Sequence, residues 1–246
     1  MPDIHSAHES PLTAGTGTPR LSALLDAAAH GDGRAWSGLW TELFHNGTLD
    51  PAHPLVLPAL TAMAEEGTVE ALSLAGALLV RDDGCPEPGR LREAYALEVA
   101  RLLAAAHRSR QAVVGSGTYC VVLEALLGVE GGAPYAEELI GGLLNEEYEI
   151  ECPGPDGCGE VWVVLGERGH FTTAEDYALA EDDVRRVPLR PAVPGTGPGA
   201  RLHGYALADG HPDVARALTY VCGEAECPTC GRSFRVSDVL AAPRPR

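Results

Sequence analysis

Lysine is absent from the sequence, so all 18 basic residues are arginine, and they face 35 acids for a net charge of −17. Without clustered cations to neutralise phosphates, non-specific nucleic-acid binding is disfavoured. A basic partner suits this negative field better. Aromatic residues make up only 5% of the 246 positions. No run of about 18 apolar residues occurs, which removes a membrane-spanning helix, and the first twenty positions lack the apolar stretch of a secretion signal. A cytoplasmic protein is therefore expected. The bias toward Ala, Gly, Pro and Arg matches GC-rich bacterial coding sequence. What remains is 45% apolar and 22% charged, which suits one medium globular domain or two small ones.

Catalytic motifs are also missing. Gly115, Ser116 and Gly117 fall short of a nucleophile elbow and sit in a helical pattern rather than after a strand. The run from Gly195 to Gly199 mimics a phosphate loop but has no lysine and contains Pro198, so it reads as a linker. The nine histidines are dispersed, with no HExxH. No enzyme is predicted. A cleft enzyme would instead need histidines and carboxylates that converge with perturbed protonation.

Period-3.6 spacing begins near Leu21 and lasts to about Asn145. Apolar stripes run through Leu21–Ala28, Trp36–Leu43, Leu55–Met63, Val69–Leu79, Leu91–Leu103, Val113–Leu127 and Ala136–Leu144. They predict seven helices with brief connections, the pattern of antiparallel hairpins. With no fixed repeat length, irregular HEAT-like pairs fit better than a regular array, and an ordinary helical bundle is the alternative. Pro58 must start its helix or kink it. Residues 1–19 read as a loose arm, 20–145 as the helical domain, 146–240 as a second module and 241–246 as a tail. The expected class is mainly α, followed by a small α+β zinc-ribbon-like module.

The seven cysteines, at 85, 120, 152, 158, 222, 227 and 230, are an odd number, which disfavours a disulfide framework. Cys227, Pro228, Thr229, Cys230 and Gly231 spell a CPxCG knuckle, whose spacing lets two thiolates close on one tetrahedral ion. Cys152 to Gly159 carries the same CP and CG edges with a longer interior. Neither pair saturates zinc alone, and together they supply four thiolates. The intervening chain must then fold back, placing a hairpin around Ile150 and Val161 near strands around Val221 and Phe234. The reading is a split zinc ribbon interrupted by a helical insertion from about Leu202 to Leu218, with structural zinc as cofactor. A redox C-x-x-C would follow a central strand of an α/β domain, which is not seen, and a catalytic zinc would keep an open position. Cys222 is a candidate replacement ligand. Cys85 and Cys120 read as a loop thiol and a core thiol.

Charge is uneven. Residues 1–145 hold 18 acids and 8 arginines, 146–183 hold 12 and 1, and 184–246 hold 5 and 9. Glu146, Glu147, Glu149 and Glu151, with Glu175, Asp176, Glu181, Asp182 and Asp183, could form one acidic face for a basic protein, or a merely solvated surface. Calcium is disfavoured because the acids lack the D-x-D-x-D-G spacing. The alternative function is a zinc-ribbon regulator that touches nucleic acid through the Arg-bearing C-terminal segment, including Arg232 and Arg235.

The stretch from Trp40 through His45 to Leu49, continuing to Leu57, Pro58, Ala59 and Leu60, resembles the opening hairpins of HEAT-like bacterial proteins whose C-terminal parts carry paired CPxCG knuckles. Some of that group resemble immunity partners of secreted toxins. The resemblance implies protein binding rather than chemistry, and this chain departs from it in its stretched first knuckle. Leu202 to Leu218 also resembles the helix-turn-helix of one ankyrin repeat.

Overall fold

The apolar stripes of the first half become helices in the structure, a computed structural model that describes residues 18–45, 48–49, 53–83, 89–154, 158–166, 169–172 and 185–242. Most of the expected N-terminal arm and the last four residues of the tail lie outside these. The chain forms two compact units, Met1–Ala59 and Leu60–Arg246.

In the first unit, α1 (Thr18–Ala29) and α2 (Gly33–Leu43) bury Leu21, Ala28, Leu39 and Leu43. Asp32 starts α2 by accepting the Arg34 N–H, which satisfies a donor that no helical carbonyl reaches. Trp40 stacks on Phe44 with ring centroids 5.0 Å apart. Two short strands, β1 (Phe44–His45) and β2 (Thr48–Leu49), pair antiparallel. A 3-10 turn over His53–Val56 leads into α3 (Leu57–Glu65). Pro58 opens α3, where its missing N–H breaks no helical bond.

The second unit continues with α4 (Val69–Asp83), α5 (Arg90–Ala94), α6 (Ala96–Ala112), α7 (Ser116–Glu130) and α8 (Ala133–Asn145). Helices α4 and α7 approach closely because a Cβ on Gly128 would stand 2.8 Å from the Gly76 carbonyl oxygen. The helix expected over Leu91–Leu103 is broken at Tyr95. The first fragment is fixed separately: buried Asp82 accepts the Leu91 N–H at 3.0 Å, and Arg92 donates to the carbonyls of Gly128 and Val129 at the end of α7. Val113 and Val114, expected inside a helix, connect α6 to α7, since Gly115 turns the backbone with φ 103°.

Four antiparallel strands follow in the order β3 (Glu147–Glu151), β4 (Glu160–Val164), β5 (His170–Thr172) and β6 (Val187–Pro188). The β3–β4 hairpin is the one expected from sequence, while β5 and β6 were not foreseen. Helices α9 (Gly197–Ala208) and α10 (Pro212–Val221) are inserted before β7 (Ala225–Glu226), β8 (Ser233–Phe234) and α11 (Val236–Ala241). The expected linker gives way at Gly197, where α9 starts with Pro198 in its first turn. Val221 closes α10 and is not in a strand. Arg190 and Glu224 exchange backbone hydrogen bonds of 2.9 Å in both directions, joining the chain after β6 to the entry of β7.

One apolar core joins α7 and α8 to the C-terminal module: Leu123, Leu139 and Ile140 of the helices cluster with Ile150, Val163 and Phe171 of the sheet and with Leu202, Leu218 and Val236 of the later helices. The fold is mainly α with a small α+β module at the C-terminal end. Among the described residues no helix is long and apolar enough to cross a membrane.

Candidate metal centre

Two hairpin tips make the site. Alternation along β3 buries Tyr148 and Ile150 while Glu149 and Glu151 face outward, and the ladder with β4 ends where the Cys152 N–H donates to the Gly159 carbonyl at 3.3 Å. At the other tip, the Cys227 N–H donates to the Arg232 carbonyl and the Gly231 N–H to the Cys227 carbonyl, both at 2.9 Å. The Phe171 ring of β5, the strand next to the first hairpin, meets the Phe234 ring of β8 edge to face at 5.5 Å and ties the four-stranded sheet to the second hairpin.

The four sulfurs of Cys152, Cys158, Cys227 and Cys230 lie within 4.8 Å of one another, the one such group among the described residues. Together they can hold a metal ion. Cys152 Sγ and Cys230 Sγ are 3.8 Å apart. Four sulfurs at about 2.3 Å from a tetrahedral ion have edges of about 3.8 Å, whereas a disulfide closes to about 2.05 Å. Cys152 and Cys227 are buried, Cys158 is half-buried and Cys230 is exposed. Coming from two hairpins nearly 70 residues apart in sequence, the pairs realise the fold-back that the knuckles require.

The stretched knuckle keeps the essential contacts of the short one. Cys152 Sγ receives a backbone N–H from Gly154, as Cys227 Sγ receives those of Thr229 and Cys230. Burial pushes the Cys227 thiol up, but these amides and the neighbouring thiols outweigh it and bring it down to about 7. Sharing a proton with Cys230, together with burial, pushes Cys158 up to about 12. Burial raises Cys152. Gly154 must stay small, because a Cβ there would stand 3.0 Å from Cys230 Sγ and 3.3 Å from Cys152 Sγ. Arg185 donates to the Pro228 carbonyl at 2.7 Å, and Arg190 pairs with Glu226 at 3.2 Å, both bracing the second knuckle.

Cys222 is outside the group: half-buried at the end of α10, its thiol bonds Ser237 and is raised by burial. Cys120 lies buried on α7, its thiol pushed up to about 12 chiefly by burial. Cys85 lies outside the described residues. Of the acidic face, Glu146 caps α8 with φ 56°, and Glu147, Glu149 and Glu151 alternate along β3. Glu175, Asp176, Glu181, Asp182 and Asp183 lie outside the described residues.

A second constellation escaped the sequence reading. Asp209, in the turn between α9 and α10, pairs with Arg110 of α6 and accepts the Tyr119 hydroxyl of α7 at 2.8 Å; the Arg110 and Asp209 side chains are only 11% and 5% exposed. His211 stacks on Tyr119 at 3.8 Å, and the Arg110 guanidinium lies 4.0 Å from the centre of the Tyr205 ring. Burial and Asp209 hold the Tyr119 hydroxyl well above the usual phenol range. Beside it, Ser116 donates to Asp213. This set pins the inserted helices to α6 and α7. The residues are spread over four elements, and no local spacing in the sequence links Arg110 to Asp209.

No family model, curated protein or solved structure matches this chain.

Proposed function

We propose that the chain is a non-enzymatic interaction protein whose C-terminal ribbon is clasped by one structural zinc ion and whose acidic β3 face takes a basic protein. Supporting this is the closed set of four thiols, which leaves no ligand position for a reacting water. Thiolates of this kind suit a reducing compartment such as the cytoplasm. Zinc is the ion of choice because four sulfurs at a tetrahedral spacing match its usual structural site. The extension of this reading is an immunity protein that neutralises a basic toxin by covering it, with the HEAT-like helices as scaffold.

Metal analysis of the purified chain should give one zinc per molecule; a natively folded, metal-free chain refutes the clasp. Reversing Glu149 and Glu151, and separately Glu181, Asp182 and Asp183, should lower capture of the co-purifying partner, and unchanged capture in both refutes the acidic face. The second reading, nucleic-acid contact, draws on Arg232 and Arg235, which are exposed beside the site. Salt-dependent binding of RNA or DNA that is lost in Arg232→Glu would favour it.

A further inference from the structure

Two open strand edges face a common groove. Among the described residues β3 is the outer strand of its sheet and pairs with β4 alone. The bonds from Leu165 N–H to the Glu146 carbonyl and from Cys152 N–H to the Gly159 carbonyl set the phase of the ladder. In that phase Glu149 and Glu151 direct their N–H and C=O groups away from β4. On the other hairpin, the Cys227–Arg232 bond places Ser233 likewise, with its backbone groups turned away from β7. No described residue takes the backbone groups of Glu149, Glu151 or Ser233. Between these edges lies a groove of about 650 Å³, floored by Ile150, Phe234 and Leu240, a volume within the range of ligand-binding clefts.

We propose that this groove binds an extended segment of a basic partner, which adds a strand to β3 and sets cationic side chains against Glu149, Glu151 and Glu160. The inference rests on the basic-partner reading above and names the mode of contact. Backbone pairing supplies affinity in strand addition, and side chains supply specificity. Here the specificity is for cations, since four carboxylates line the groove against the guanidinium groups of Arg232 and Arg235. The same alternating glutamates oppose a second copy of this chain, because two acidic edges brought together repel.

The test uses the metal-loaded full chain and a fluorescent peptide of alternating arginine and valine. Two further versions are N-methylated on either set of alternate amides, and a control replaces arginine by glutamate. The arginine peptide should bind and protect the amides of Glu149, Glu151 and Ser233 from hydrogen exchange. N-methylation on the pairing side, or Glu149→Arg with Glu151→Arg, should weaken binding at least about tenfold, and the glutamate peptide should not bind. Equal binding of all the arginine peptides overturns strand addition while leaving the acidic-face reading intact. Absence of binding overturns the groove, whereas the acidic-face reading falls only if partner capture is also indifferent to charge reversal. A dimer in sedimentation that Glu149→Arg abolishes overturns the proposal in favour of self-pairing.

Discussion

The two thiol pairs bracket the stretch of chain that carries α9 and α10, while the Arg110–Asp209 pin holds its middle, at the turn between those helices, and the two differ in chemistry. The thiols sit at two hairpin tips, one buried and one exposed in the second knuckle, and can be joined by a single ion. The pin is buried between helices and joined by an ion pair, a tyrosine hydroxyl and a stacked histidine. A metal clasp releases its binding energy as folding energy, while a buried ion pair roughly offsets the cost of stripping water from its charges and becomes expensive only when one partner is lost. On the proposed zinc reading the ribbon would depend on an ion from outside the chain, whereas the pin is made of the chain's own side chains.

Removing the ion should expose that difference most strongly. Chelation, or Cys227→Ser with Cys230→Ser, should cost of order 10 kcal/mol of stability in the ribbon. Hydrogen exchange should then show lost protection in β3, β4, β7 and β8 ahead of α4 and α7. Uniform loss across the unit would mean that the clasp and the helices fold as one. Next in size, Asp209→Ala should cost about 3–5 kcal/mol in urea unfolding by leaving Arg110 buried without its carboxylate. Tyr119→Phe, which loses one hydroxyl bond, should cost about 1 kcal/mol. A silent Asp209→Ala would show that α9 and α10 are held by apolar packing alone.

The smallest effect lies at the edge of the pin. The Ser116 hydroxyl, ahead of burial that works the other way, holds the Asp213 carboxyl below its ordinary 3.8. The folded chain thus favours the ionised carboxylate more than the unfolded chain does. Its contribution is complete above about pH 4 and fades as the pH falls through the folded-state value. The stability difference between the native chain and Asp213→Asn should shrink between pH 6 and pH 3, and a constant difference would remove Ser116 as its source.

The sequence displays these two fasteners very unequally. CPxCG at Cys227 and its stretched counterpart at Cys152 are local chemical patterns, and their joint use follows from the four ligands that a tetrahedral ion needs. The hairpin around Ile150 was legible because alternation within five residues is a local property. The break at Tyr95 was not, because Asp82 and Arg92 make it through contacts with distant backbone. The start of α9 at Gly197 was masked by glycine and proline, which read as a linker although proline is at home in a first helical turn. Arg110, Tyr119, Asp209 and His211 gave no sign of acting together.

By itself, the sequence determined the helical first half, the class of the second module and the identity of the four thiols, since each is set by spacing over a few residues. Only the tertiary structure decided that Arg110 meets Asp209, that Cys222 stays out of the thiol group and that β3 and β8 leave facing edges open. Those outcomes depend on which distant surfaces pack together, and packing of that kind is a property of the shared apolar core rather than of any one stretch of chain.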